Sequence, residues 1–318
     1  MPFFIFDYTN THTFHRKALL NAIKKTNAKN ISSEKLTIVV STRNMIKALP
    51  ATLLGFITPV LNITGFGRLY TNYGFIGRTM FNMLVRIYAI RGCAGFIVEH
   101  DVDKQQLKKL GVKPIFTTHG SGLDIDGFYR KVNLKRKSLK IGYLSRFDRS
   151  KGSHQILKIA QSLPKNYELI IAGWDVKGNR FSDAFRKCAE QDNVRFLGRL
   201  SSRNAVSEFF NSIDIFLSPS EREGGNISLQ EAIWHGVPFI TTDAPGCRIL
   251  AERFSCPAVK MNNFANFILT KNIDQFLCDT SSWDENLLPF ISLAVESEFT
   301  DILVEIANKR NSKNKINY

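Results

Sequence analysis

The sequence predicts an α/β protein built from two Rossmann-like domains. Short apolar runs alternate with stretches of helical period along most of the 318 residues, and such repeats form parallel, doubly wound sheets. A polar, basic segment at residues 130–138 interrupts the alternation, which then restarts. The length suits two domains of about 150 residues. We therefore expect two domains facing a cleft that holds the ligand.

The first block contains five candidate strands and four candidate helices. The strands lie at residues 3–6, 36–41, 59–64, 95–98 and 114–118, and the helices near residues 14–25, 44–56, 75–91 and 103–109. Residues 48–67 carry no charge and are long enough to cross a bilayer. Because Pro50, Pro59 and Asn62 interrupt this stretch, it predicts a core helix followed by a buried strand.

The second block repeats the pattern. Its strands are predicted at residues 139–145, 167–173, 193–198, 214–220 and 238–243, and its helices near residues 180–190, 204–211 and 228–235, after a first helix capped by Ser150. The predicted division is an N-terminal domain, a linker, a C-terminal domain and a frayed basic tail, at residues 1–130, 131–138, 139–308 and 309–318.

The composition points to an anionic partner. Lysine and arginine exceed aspartate and glutamate by 15, which favours a phosphate-bearing ligand or an anionic membrane surface, although a basic surface without such a role stays open. No basic–aromatic motif of nucleic-acid binding occurs, so we expect no nucleic-acid partner. The five cysteines form no C-x-x-C pair, and with no secretory signal at the start they predict free thiols in a cytoplasmic protein.

The most informative segment is SPSEREGGNISLQEAIWHGVPFITTDAPGCR, which follows a predicted strand. Its Gly224 and Gly225 allow a ligand close to the backbone, and the helix that follows presents amide groups that suit phosphate. Glu223 and Glu231 are acceptors for pairs of hydroxyls. Phosphate and hydroxyl recognition side by side is typical of a nucleotide-sugar site. A glycosidase also uses two carboxylates, but the strand–loop–helix setting favours nucleotide-sugar binding.

A second segment, YLSRFDRSKG, follows the first strand of the second block. Ligands bind at the carboxyl ends of strands in doubly wound sheets. Arg146 and Lys151 at this end could neutralise a diphosphate, whereas alone they would be solvated surface residues.

These segments resemble glycosyltransferase family 4, the group 1 glycosyl transferases of the GT-B fold. Glu223 and Glu231 match the E-x7-E motif, SRFDRSKG resembles G-R-L-x-x-x-K-G, and EAIWHGVPFITTDAPGCR resembles E-A-M-A-x-G-x-P-V-I-x-T-D-x-x-G-C-R. In the first block, LNITGFGRLY, GFIVEHDVDKQQL and HGSGLDIDGF resemble segments of a subgroup that acts on bacterial surface polysaccharides.

The resemblance implies a role for each matched residue. Arg146 and Lys151 would hold the donor diphosphate, and Glu223 would accept hydrogen bonds from the transferred sugar. The backbone at Gly224, Gly225 and Asn226 would meet sugar and phosphate, and Glu231 would bind the ribose. Phe196 to Gly198 would border the nucleotide base, and Thr64 and Gly65 would face the reaction centre from the acceptor side.

Some features depart from the family or stay open. The expected opening strand and glycine-rich loop are missing, so the N-terminal domain looks shortened. His100 replaces a family asparagine, and a structural histidine is the expectation. The triplets at residues 101–103 and 124–126 have the D-x-D pattern of some metal-dependent transferases, but we expect no metal. Residues 75–91 mix bulky apolar residues with arginines, which fits either a membrane-surface helix or a core helix with arginines at its edge.

The sequence thus predicts a retaining glycosyltransferase, cytoplasmic or peripheral at the inner face of the plasma membrane. It would move a hexose or N-acetylhexosamine from a UDP-sugar to a glycan or lipid-linked acceptor of a surface polysaccharide. The nucleotide sugar is a co-substrate, and no cofactor is expected. The alternatives are a truncated protein that only binds nucleotide sugars, one half of a split transferase, and a sugar-nucleotide epimerase.

Overall fold

The computed structural model describes residues 3–6, 17–28, 36–64, 66, 73–130, 138–176, 180–221, 223 and 225–316. Within these residues, eleven strands form two sheets in which every pairing is parallel, together with twelve α-helices. The chain divides into two compact units, Met1–Asp124 with Pro289–Tyr318 (unit 1) and Ile125–Leu288 (unit 2). Two parallel-sheet α/β units confirm the predicted fold class.

Unit 1 has a five-stranded sheet in sequential order, β1 to β5. The strands are β1 Phe3–Phe6, β2 Leu36–Val40, β3 Thr58–Ile63, β4 Gly95–Val98 and β5 Ile115–Thr117. The central strands β2 and β4 are buried along their whole length, as expected of a sheet covered on both faces.

Helices cover both faces of this sheet. One core contains residues of α1 (Lys17–Ala28) and α12 (Ser292–Ile316), and the other contains residues of α2 (Thr42–Leu53), α3 (Gly74–Ile90) and α4 (Asp101–Lys109). Residues 48–63 of the uncharged stretch fall into α2, β3 and the turn between them, which matches the predicted core helix and buried strand. Among the described residues, we find no helix with the length and apolarity needed to cross a bilayer.

The last helix differs from the predicted domain division. Val295, Phe299 and Leu303 of α12 are buried in the core that α1 shares with the unit 1 sheet, although residues up to 308 were expected in the C-terminal domain. The helix continues to Ile316, where a frayed tail was expected. Helical periodicity predicts that a helix buries one face but does not identify the sheet that receives it. Residues 131–137 of the predicted linker lie outside the described residues.

Unit 2 has a six-stranded sheet in the order β11-β10-β9-β6-β7-β8. Its strands are β6 Leu139–Phe147, β7 Tyr167–Asp175, β8 Val194–Gly198, β9 Ile215–Ser218, β10 Phe239–Thr242 and β11 Ala258–Val259. Its helices are α5 Ser153–Ser162, α6 Phe181–Cys188, α7 Arg203–Ser212, α8 Ile227–Trp234, α9 Pro245–Arg253, α10 Phe264–Thr270 and α11 Trp283–Leu287, and a 3₁₀ turn covers Arg149–Lys151.

The strand order of unit 2 reverses between β6 and β9. From β6 the chain proceeds outward to β7 and β8, and from β9 it proceeds in the other direction to β10 and β11. The loops after the two central strands leave the same edge of the sheet at this reversal point, which is where open α/β sheets generally bind their ligands. Lys151 and Glu223 follow these two strands.

A glycine lets the two loops approach each other. Gly152, between the 3₁₀ turn and α5, has φ of 72°, and a Cβ added there would lie 1.9 Å from the backbone oxygen of Pro219. Any side chain would separate the loop after β6 from the loop after β9. The glycine of the SKG sequence is thus required by packing as well as by backbone conformation.

We predict that Gly152→Ala destabilises unit 2 by more than about 3 kcal/mol, because it combines a left-handed backbone with a clash against backbone. Gly198→Ala is the matched control, since Gly198 has φ of 69° but nothing within 4 Å of the added Cβ; it should cost about 1 to 2 kcal/mol. All three tryptophans, Trp174, Trp234 and Trp283, lie in unit 2, so tryptophan fluorescence during denaturant unfolding reports on this unit. Equal losses in both variants would contradict the close approach.

Candidate functional site

An ion pair joins the loops that follow β6 and β9. The Lys151 ammonium donates to Oε1 of Glu223. The same oxygen accepts a hydrogen bond from Oγ of Ser220 at 2.8 Å. The two charged side chains are 19% and 12% exposed, so they are largely shielded from water. Both had been predicted as site residues, and the structure brings them together at the reversal point of the sheet.

The backbone of Lys151 is held by side chains of its own loop. Oδ1 of Asp148 accepts from the Lys151 amide at 3.0 Å and from Ser150 Oγ at 2.5 Å. The hydroxyl of Tyr143 donates to the Lys151 carbonyl at 3.1 Å. Asp148 therefore caps this turn, and the Ser150 hydroxyl donates to the Asp148 carboxylate. The prediction that Ser150 caps the helix is thus wrong. Aspartate caps helical turns well because its carboxylate accepts from free amides.

The loop after β9 is tied to its neighbours in a similar way. The Glu221 amide donates to the Ser150 carbonyl at 2.8 Å, which connects it to the loop after β6. Thr241 Oγ1 donates to the Ser218 carbonyl at 2.9 Å, and Thr242 Oγ1 donates to the Ser220 carbonyl. These bonds fix the path of the backbone on either side of Pro219 and position the start of the glutamate loop.

Asn226 begins α8. Its Oδ1 accepts from the Leu229 amide at 3.2 Å, and its Nδ2 donates to Ser218 Oγ at 2.9 Å and contacts Cys247 Sγ at 3.4 Å. The buried side chain is therefore a helix cap that also anchors the helix to β9. Gly225, next to it, is half-buried. The first amides of α8 follow this anchor directly, and such helix ends attract anions.

Glu231 lies further along α8 and differs in its electrostatics. Burial raises the pKa of its carboxyl group to about 8, and Arg203 opposes this effect only in part. The side chain is half-buried, and the raised pKa favours its protonated form near neutral pH. The next turn ends at His235, whose Nδ1 lies 2.7 Å from the Glu231 carbonyl and whose Nε2 lies 3.1 Å from Ser207 Oγ. Burial lowers the pKa of His235 to about 4, so it is a neutral packing residue.

Arg146 and Gly198 stand at the carboxyl ends of β6 and β8. Arg146 is exposed on β6 and lies opposite Trp174 of β7 in the sheet register. Gly198 ends β8 and pairs with Ala172. The guanidinium of Arg199 lies 4.9 Å from the centre of the Trp174 indole ring. Arg146 therefore shares the carboxyl edge of the sheet with Lys151, but Lys151 rather than Arg146 bonds Glu223.

The remaining predicted positions are spread over both units. Thr64 follows β3 in unit 1 and is half-buried. Gly65 and Gly224 lie outside the described residues. His100 is buried; its Nδ1 accepts from the Asp103 amide at 3.3 Å, and its Nε2 lies 3.4 Å from an Asp103 oxygen. It is a structural histidine that caps α4, as expected.

The acidic triplets serve other contacts. Asp103 faces His100, and Asp124 forms an ion pair with Lys17 at 3.2 Å. Across the part of the chain that the structure describes, we find no group of three or more His, Cys, Asp or Glu residues suited to a metal ion. All five cysteines, at positions 93, 188, 247, 256 and 278, are free thiols.

Sequence reasoning missed several residues that build this site. Asp148 carries a local signal, because an aspartate three residues before Lys151 is the spacing of a capping turn. Ser220 and Tyr143 carry no such signal. Their contacts depend on how β6 and β9 are placed side by side, which the order of residues along the chain does not specify.

Comparison with known proteins identifies the family of this chain. The family model of glycosyl transferases group 1 matches residues 125–284, which is half of the chain and nearly all of unit 2. The lipopolysaccharide glucosyltransferase WaaG of Escherichia coli is 30% identical over 167 residues, 50% of this chain and 43% of WaaG. Protein CapJ of Staphylococcus aureus is 29% identical over 126 residues, 38% of this chain and 32% of CapJ. The matches thus span less than half the length of these curated relatives.

Solved structures extend the likeness to both units. HepE of Anabaena, solved in complex with UDP and glucose, superposes with a TM-score of 0.69 at 14% identity, over 96% of this chain and all of HepE. At this identity the likeness establishes the fold, which is that of the GT-B glycosyltransferases. From the family match and this fold together, we conclude that the chain belongs to the group 1 glycosyl transferases.

Proposed function

We propose that this chain is a retaining glycosyltransferase that moves a hexose or N-acetylhexosamine from a UDP-sugar to a glycan or lipid-linked acceptor of a bacterial surface polysaccharide. The observation that carries the proposal is the Lys151–Glu223 pair at the reversal point of the unit 2 sheet. The UDP and glucose bound to HepE support the choice of a UDP-sugar as donor. The name of WaaG, a lipopolysaccharide glucosyltransferase, supports a surface polysaccharide as the product class. Five free cysteines are in keeping with action in the cytoplasm.

The donor diphosphate would bind at the cationic side of this site. The Lys151 ammonium and the Arg146 guanidinium would face its oxygens, and the first amides of α8, with the backbone at Gly224, Gly225 and Asn226, would complete the contact. A diphosphate competes with Glu223 for Lys151. Glu223 is then free to accept hydrogen bonds from the transferred sugar.

The nucleoside would lie along the same edge of the sheet. Glu231 would accept from the two ribose hydroxyls, and Phe196 to Gly198 would border the base. Leu197, 42% exposed at this edge, offers an apolar contact. Thr64 and Gly65 of unit 1 are proposed to face the acceptor.

The chemistry follows from where charge develops. The bond between the anomeric carbon and the diphosphate oxygen breaks, and negative charge grows on the leaving diphosphate near Lys151 and Arg146, which stabilise it. The acceptor hydroxyl forms the new bond on the face that the diphosphate leaves, and its proton passes to a diphosphate oxygen. The configuration at the anomeric carbon is thereby retained. The two protein cations supply the charge, so the proposal assigns no cofactor or metal.

A second candidate is a protein, or one half of a split transferase, that binds nucleotide sugars without transferring them. One observation favours it. The described strands of unit 1 run in sequential order, whereas the strand order reverses in unit 2, and ligands bind at such reversal points. This candidate predicts UDP binding without transfer, so binding and turnover must be measured on the same sample. An epimerase would instead convert the UDP-sugar with no acceptor present.

We predict that Lys151→Ala and Glu223→Ala each lower kcat/KM for transfer of labelled sugar to a lipid-linked acceptor by about 100-fold or more, since each removes a charged contact to the donor. Glu221→Ala is the matched control, because Glu221 is an exposed carboxylate of the same loop to which we assign no role. It should keep turnover within about twofold. Unchanged turnover in both site variants would rule out the proposed donor site.

We predict that binding of a UDP-sugar releases a proton from Glu231. The free carboxyl, with its pKa raised to about 8, is protonated below that pH, whereas ribose hydroxyls bind best to the ionised form. Proton release should therefore approach about one per site near pH 6 and vanish near pH 9, with affinity rising over the same range.

The release is measured by titration calorimetry in buffers of different ionisation enthalpy. A UDP-sugar is the suitable ligand, because its diphosphate has no proton to lose in this range. Glu231→Gln should abolish the release, and Glu221→Gln should leave it intact. Equal release from the Glu231→Gln variant would assign the proton to another group.

A further inference from the structure

The outer face of α2 and α3 in unit 1 is unusually apolar. Of the sixteen large hydrophobic side chains that are exposed among the described residues, ten lie between residues 46 and 90. We call this group the outer helical face. Its members range from 42% to 83% exposed, and they are Ile46, Leu53, Leu54, Phe56, Tyr73, Phe75, Ile76, Met80, Met83 and Ile90. A concentration of this kind marks an interaction site on a folded protein.

Helix α3 is apolar on two sides. Its inner side buries Phe81, Val85 and Tyr88 in the core of unit 1. On the outside, Ile76, Met80, Met83 and Ile90 recur at steps of three, four and seven residues, which places them along one stripe of the helix. The sequence left open whether residues 75–91 form a membrane-surface helix or a core helix, and the structure shows a helix with a core side and a second apolar side.

Helices α2 and α3 present their outer residues together. The Tyr88 hydroxyl of α3 donates to the Met45 carbonyl of α2 at 2.6 Å, and the Arg91 guanidinium, just after α3, donates to the Leu53 carbonyl. The second contact brings the carboxyl ends of both helices side by side. Leu54 and Ile90, 68% and 82% exposed, therefore lie at the same end of the outer helical face.

The charges of this region have one sign. Residues 36–98 contain no aspartate or glutamate. Arg43 and Lys47 are exposed on α2, and Arg86 and Arg91 are exposed on or next to α3. Arg86 flanks the apolar stripe of α3, because it lies three residues from Met83 and four from Ile90. An apolar stripe bordered by arginines is suited to the boundary between lipid headgroups and acyl chains.

We propose that the outer helical face docks on the surface of an anionic phospholipid bilayer, with α2 and α3 lying in the plane of the interface. Its apolar residues enter the acyl boundary, and Arg43, Lys47 and Arg86 face lipid phosphates. A second copy of this chain is the poorer occupant, because pairing this face with itself would bring arginines together without a carboxylate to offset them. The proposal concerns unit 1 and does not depend on the donor site in unit 2.

The test is co-sedimentation of the full chain with vesicles of phosphatidylcholine that contain about one-third phosphatidylglycerol, against vesicles of phosphatidylcholine alone. The native chain should bind the anionic vesicles at least about tenfold more tightly, and salt should weaken the binding. The Ile76→Glu/Met83→Glu double variant should lose about tenfold or more, because it places carboxylates in the apolar stripe.

Leu293→Glu is the matched control. Leu293 is as exposed as Ile76, at 69% each, but it lies on α12, whose residues belong to the other core of unit 1. This variant should bind the anionic vesicles like the native chain. Circular dichroism checks the folding of each variant, and an unchanged affinity for UDP shows that a loss of vesicle binding is independent of unit 2.

Two results would overturn the proposal. The first is native-like binding of the double variant to the anionic vesicles. The second is that the native chain does not bind these vesicles and instead dimerises through this face. Light scattering would then show a dimeric native chain and a monomeric double variant.

Discussion

The Lys151–Glu223 ion pair is the interaction on which the account of unit 2 depends. It exists because two loops that follow non-consecutive strands, β6 and β9, are brought together where the sheet order reverses. Gly152 permits the approach, and Asp148, Ser220 and the Ser150–Glu221 backbone bond hold it. A lysine and a glutamate held together, partly shielded from water, form a polar site with a donor and an acceptor already positioned. In the proposed function, this site receives a ligand that carries both phosphate and hydroxyl groups.

Much of this arrangement could be predicted from the sequence. Buried parallel strands such as β7 are continuous apolar runs, and helices such as α7 keep a clear period, so their positions were predicted closely. Lys151, Glu223 and Asn226 were identified because their spacing resembles family motifs. Because the carboxyl ends of parallel strands share one edge of the sheet, the sequence also predicted in outline that these three residues lie close together.

Other features depend on the tertiary structure. The sequence of α12 shows an amphipathic helix, but only packing decides that Val295 and Phe299 fill the core of unit 1. The raised pKa of Glu231 results from burial that no local pattern reports. The exposed stripe of α3 could not be separated from its buried side by composition, because both sides are apolar. In each case the deciding contact joins residues far apart in the chain.

The two units thus carry different chemistry. Unit 2 offers a polar site built on a reversal of strand order, and unit 1 offers a basic, apolar outer helical face. The most direct measurement for the central claim is a crystal structure of the full chain with a bound UDP-sugar. We expect a diphosphate oxygen within hydrogen-bond distance of Lys151 Nζ, with Glu223 turned to the hydroxyls of the sugar. A donor bound elsewhere, with the Lys151–Glu223 pair intact, would contradict it.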